Sequence, residues 1–74
     1  MFENVFVKIQ ADYGKLPNAK EIIAKYPKVK IERETKTAFI VSGVEADVVQ
    51  MLFELKKYSL KQGAPIHSSF VDSL

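Results

Sequence analysis

The chain of 74 residues predicts an α+β domain in which two helices cover one face of a four-stranded antiparallel sheet. Three observations lead there. Four short stretches carry apolar residues at every second position, the spacing of strands half buried against a core. Two other stretches carry apolar residues at helical spacing with start and stop signals of their own. The two kinds alternate as strand, helix, strand, strand, helix, strand. Covering the apolar stripes of the helices with the apolar faces of the strands gives a two-layer domain.

Phe2 to Ala11 alternates, with Val5, Val7 and Ile9 on one side and Phe2, Asn4, Phe6, Lys8 and Gln10 on the other. Asp12 to Pro17 is a loop punctuated by Gly14 and Pro17. Asn18, with Glu21 three residues on, opens a short helix whose buried side is Ala19, Ile22, Ile23 and Tyr26. Pro27 stops it, because a residue before proline is pushed out of the helical region. Lys28 to Arg33 is the second strand, with Val29 and Ile31 inward and Lys28, Lys30 and Glu32 outward. A fully charged face suits a sheet edge, where it discourages unwanted pairing.

Glu34 to Lys36 is a turn with neither glycine nor asparagine, and Thr37 to Ser42 is the third strand. The turn decides which way that strand faces. An even-length turn pairs Ile31 with Ala38 or Ile40 and leaves Thr37, Phe39 and Val41 on the open side. An odd one reverses every side chain. The even case is favoured because two-residue hairpin loops are the commonest.

Val44 to Gly63 is the long helix. Ser42 and Glu45 have the spacing of a capping box, and Glu45 and Asp47 place negative charge in the first turn. Lys56, Lys57 and Lys61 lie toward its end, Gly63 closes it and Pro65 prevents resumption. Val44, Val48, Met51, Leu52, Leu55 and Ser59 form one stripe at about 100° per residue. Val49, Phe53 and Leu60 form a second row beside Lys56, which serves either as the edge of a wide buried arc or as a partner surface. Ile66 to Val71 is the last strand, with Ile66, Ser68 and Phe70 on one side. With right-handed crossovers, this order is the ferredoxin-like βαββαβ two-layer sandwich, with the first and third strands in the centre and both helices on one face. It spans residues 1–74 as a single domain.

Composition narrows the function classes. No cysteine is present, which excludes disulfides, a thiol nucleophile and a cysteine zinc site. The N-terminus lacks the basic segment and apolar run of a signal peptide, and no apolar run has the length of a membrane span. A cytoplasmic protein without a membrane partner is expected. The net charge of +2, from 11 basic and 9 acidic residues, does not by itself imply nucleic acid. His67 is the sole histidine, and the three glycines are isolated rather than gathered in a phosphate loop. No nucleophile, base, metal set or cofactor motif is assembled, so the expectation is a protein that is not an enzyme.

A two-layer domain leaves one sheet face to solvent. Phe6, Lys8 and Gln10 of the first strand are the candidates there, joined in the even case by Phe39 and Val41. Two aromatics on central strands resemble the RNA-recognition motif, whose central strands stack bases on aromatic residues. Val5-Phe6-Val7-Lys8-Ile9-Gln10 is similar to its shorter motif and Lys36-Thr37-Ala38-Phe39-Ile40-Val41 to its longer one. The latter lacks the family's glycine and two further aromatics, and its basic residue falls on Thr35. The resemblance implies single-stranded RNA or DNA binding through Phe6, Phe39, Lys8 and Lys30.

The order of elements, with Ile23-Ala24-Lys25-Tyr26-Pro27-Lys28-Val29 and Ser68-Ser69-Phe70-Val71, also resembles the ACT domain and the effector-binding domain of leucine-responsive regulators. That resemblance implies small-ligand binding, but their glycine-bearing ligand loops have no counterpart here. The leading expectation is a regulatory protein-interaction module that binds a protein partner or forms a homodimer. Its contact residues are Phe6, Lys8, Phe39 and Val41, with Phe2 beside them, or Val49, Phe53 and Leu60 on the helix flank.

Overall fold

A computed structural model describes residues 4–71. It contains strands β1 (Asn4–Gln10), β2 (Val29–Glu34), β3 (Ala38–Val44) and β4 (His67–Val71). Helices α1 (Ala19–Ala24) and α2 (Glu45–Lys61) complete it, with one 3-10 turn at Tyr13–Lys15. The strands form one antiparallel sheet in the order β2-β3-β1-β4. The first and third strands are central, as expected, and the charged strand β2 lies at an edge. The two strands flanking α1 run parallel with β3 between them, and the two flanking α2 run parallel with β1 between them.

Opposed residues of neighbouring strands share a face. Val7 opposes Val41, and Ile9 opposes Phe39. Val41 in turn opposes Ile31, and Gly43 opposes Val29. These residues form one core with Ala19, Ile22 and Ile23 of α1, Val48, Met51 and Leu55 of α2, and Ile66 before β4. Both helices therefore pack on that face of the sheet.

The expectation that Phe39 and Val41 stand on the open face is wrong. Phe39 is 2% exposed and Val41 0%. The hairpin tip is even, as expected: the Thr35 amide donates to the Ala38 carbonyl at 2.8 Å, leaving Lys36 and Thr37 as the loop. The Ala38 amide donates to Thr35 Oγ1 at 3.0 Å, so the threonine hydroxyl supplies the turn chemistry that glycine or asparagine usually provides. Below the tip, however, β2 carries an extra residue. Arg33 opposes Ile40 but Ile31 opposes Val41, so Glu32 is a bulge. One inserted residue reverses the pairing parity, which keeps Val29 and Ile31 inward while turning Phe39 and Val41 inward with them. Tyr13 closes that end of the core. Its ring stacks on Phe39 with centroids 3.9 Å apart and an interplanar angle of 5°, and its hydroxyl donates to the Ile9 carbonyl at 2.8 Å.

The capping box at α2 does not form. β3 runs through Val44 directly into the helix, and the Ser42 hydroxyl donates to Glu32 Oε2 at 2.6 Å instead. Val44 is the N-cap, without a side-chain bond, and Glu45 and Asp47 remain as first-turn charges. Just before this junction Gly43 lets β3 lie close to β2: a β-carbon there would stand 2.5 Å from the Lys28 carbonyl oxygen. Asn18 likewise makes no side-chain cap at α1. The far end of α2 follows expectation. Gly63 has φ +69°, its amide donates to Leu60 O at 3.2 Å, and the Ala64 amide donates to Ser59 O at 3.0 Å. These are the two bonds of a Schellman closure.

Candidate partner-binding surface

α2 has three working sides. Val48, Met51, Leu55 and Ser59 are buried against the sheet. A second side meets α1. Glu54 accepts from Lys25 Nζ at 2.9 Å and from the Tyr26 hydroxyl at 2.8 Å, and Tyr58 Oη accepts from the Asn18 amide at 3.1 Å. The Lys25 ammonium, then the Tyr26 hydroxyl, holds the Glu54 carboxyl below its ordinary range. At 100° per residue, Val49, Lys56 and Leu60 lie on the side away from α1, and Phe53 points outward from the sheet. Val49 and Phe53 also line a shallow cleft with Tyr26, Gln50, Glu54 and Lys57. Since α1 packs toward β2, Val49, Lys56 and Leu60 are turned toward β4.

Nothing among the described residues covers that flank. Val49 is 47% exposed, Phe53 64% and Leu60 71%. The reading of this row as the edge of a buried arc is thus set aside, and exposed apolar groups in a row are the feature that marks contact surfaces. Lys57 Nζ stands 5.2 Å from the Phe53 ring centroid, a cation–π distance.

β4 adds a further exposed apolar residue. Phe70 opposes Val7 and Ser68 opposes Ile9, so both lie on the helix-bearing face. Yet α2 sits over β3 and β1, and Phe70 is 64% exposed. From helix and strand rises, the Phe70 level corresponds roughly to the stretch between Val49 and Phe53. Sequence reasoning grouped Phe70 with Ile66 and Ser68 on one side of the strand without assigning the face, and did not count it among the contact residues. The missing information was how far across the sheet α2 reaches.

The open sheet face is less apolar than expected. Phe6 and Lys8 do lie there, opposite Ser42 and Ile40 of β3 and Val71 and Ser69 of β4. Phe6, Lys8, Ile40 and Val71 are half-buried among themselves. Lys30 and Arg33 share the face from β2, paired with Ser42 and Ile40. No large hydrophobic residue described on this face is strongly exposed. Of the residues expected to act together, Phe6 and Lys8 are neighbours, Val49, Phe53 and Leu60 are neighbours on the other layer, and Phe39 and Val41 belong to neither surface. Phe2 lies outside the described residues.

A shallow cleft of about 490 Å³ lies between the Asp12–Lys20 segment and the Glu34–Thr37 hairpin. The ion pair of Lys20 with Glu34 crosses it, and Tyr13 and Phe39 form part of its wall. Burial pushes the Tyr13 phenol pKa well up. Among the described residues, no cluster of three histidine, aspartate or glutamate side chains could hold a metal ion. No described helix is long and apolar enough to cross a membrane. No protein-family model matches this chain, and a search of curated proteins finds no matching relative.

Proposed function

We propose that this chain is a small, non-enzymatic regulatory module of the ferredoxin-like arrangement that works by protein contact. The observation that carries this is the row of exposed apolar residues Val49, Phe53 and Leu60 on α2, together with Phe70 exposed on the helix-bearing face of β4, all of them far more exposed than core residues. The strand order β2-β3-β1-β4, with each helix joining two parallel strands across a third, supports the ferredoxin-like reading. The absence of cysteine suits work in the reducing cytoplasm.

The contact is moved from the sheet face to the helix flank and β4, because Phe39 and Val41 are core residues. That move also weakens the nucleic-acid alternative, which loses one of its two stacking aromatics. What remains for it is Phe6 among Lys8, Lys30 and Arg33. The test is a photo-crosslinking side chain placed at position 53 and, separately, at position 6, in the cell of origin. Adducts with protein from position 53 and not from position 6 support the reading. Adducts with nucleic acid from position 6 alone overturn it in favour of the alternative.

A further inference from the structure

We infer that the protein in contact with these residues is a second copy of the chain, joined by antiparallel pairing of β4 with its twin across a twofold axis. The inference rests on the contact reading above and names its partner.

The two sheet edges are treated differently. β2 carries Lys30, Glu32, Arg33 and Glu34 within Val29–Glu34, and a bulge besides. Charges and bulges are the devices that keep an edge from pairing. β4, HSSFV, has no bulge against β1 and carries no lysine, arginine, aspartate or glutamate. Among the described residues no strand pairs with its outer edge, which suits strand addition.

A twofold interface sets each residue near its own copy, so a charged strand would repel itself. β4 lacks that obstacle. Pairing centred on Ser69 sets Ser69 opposite Ser69 and Phe70 opposite Ser68 of the twin, on the helix-bearing face. The same rotation reverses α2. With the axis at Ser69, the outer flanks of the two α2 helices run side by side in opposite directions. The exposed parts of Val49, Phe53, Leu60 and Phe70 amount to on the order of 400 Å², about half the ~800 Å² per partner of a standard interface. Pairing of the five-residue strand adds to that area.

The test is sedimentation velocity on the full chain over a concentration series, with Ser69→Lys and Ser69→Glu beside wild type. Ser69 is exposed on the open face, so neither change disturbs the core, and circular dichroism checks the fold. The expected result is a wild-type dimer, a rise of about fivefold or more in dimer Kd for each variant alone, and recovery when the two variants are mixed in equal amounts. A wild-type monomer at ~1 mM overturns the inference while leaving the crosslinking test of protein contact standing. A dimer that neither substitution weakens overturns the strand pairing. Protein adducts from position 53 that never include a second copy overturn the identity of the partner.

Discussion

Replacing Phe39 with alanine tests the register on which both faces depend. The side chain is 2% exposed and stacked beneath Tyr13 with centroids 3.9 Å apart. Truncating a buried phenylalanine costs about 3–5 kcal/mol, of which the aromatic pair accounts for roughly 0.5–1.5 kcal/mol. A domain of 74 residues has a total stability of roughly 4–11 kcal/mol, so Phe39→Ala should remove a large part of it. Phe6→Ala, on the half-buried open face, should cost about 1 kcal/mol. Urea denaturation followed by circular dichroism gives both values, and Phe39→Leu, with its smaller cavity, serves if the alanine variant is too unstable to measure. A Phe6→Ala loss equal to or greater than that of Phe39→Ala would refute the bulge at Glu32 and restore the unbulged register.

Three further outcomes are expected. Gly43→Ala should destabilise by at least about 1–3 kcal/mol, because its β-carbon meets backbone at Lys28 and Val29 that cannot swing aside; thermal melting should show a fall of several degrees or more. Glu54→Gln should flatten the acid limb of the stability curve. The folded carboxyl is held down by Lys25 and Tyr26, so its contribution is present above the ordinary value of 4.5 and is lost as pH falls through the depressed one. Chemical denaturation from pH 3 to 7 reads this, and a parallel curve for the variant would contradict it. Tyr13→Phe should cost about 1 kcal/mol near neutrality through the lost bond to Ile9. The folded phenol is raised by burial, so its contribution holds below pH 10 and is lost as pH rises beyond it. The variant should therefore lose less stability than wild type between pH 9 and 11.

The elements of the described residues were readable because each carried its own period. Val5, Val7 and Ile9 alternate, and Val48, Met51, Leu55 and Ser59 repeat at helical spacing. The C-terminal stop of α2 was readable because Gly63 is one of few residues at ease with φ +69°. The facing of β3 was not. Its tip was inferred correctly, but the bulge at Glu32 carries no residue signature: glutamate in a charged strand looks the same paired or unpaired. The capping box failed for a related reason, since Ser42 found Glu32 across the hairpin, a partner that only the three-dimensional register brings near. The contact surface was half readable. Its α2 row follows from angles round a helix, whereas the exposure of Phe70 follows from the reach of α2 across the sheet, which is a tertiary fact.

The central claim is that the exposed flank of α2 and β4, not the open sheet face, is where this protein meets another protein chain. Amide hydrogen exchange compared between concentrated and dilute protein tests it most directly. Added protection on concentration at His67–Val71 and along the Val49–Leu60 flank, with Phe6 and Lys8 unchanged, is the predicted result. Protection confined to β1 and the outer edge of β2, or none at any concentration alongside a crosslinker at position 53 that captures no protein, would contradict it.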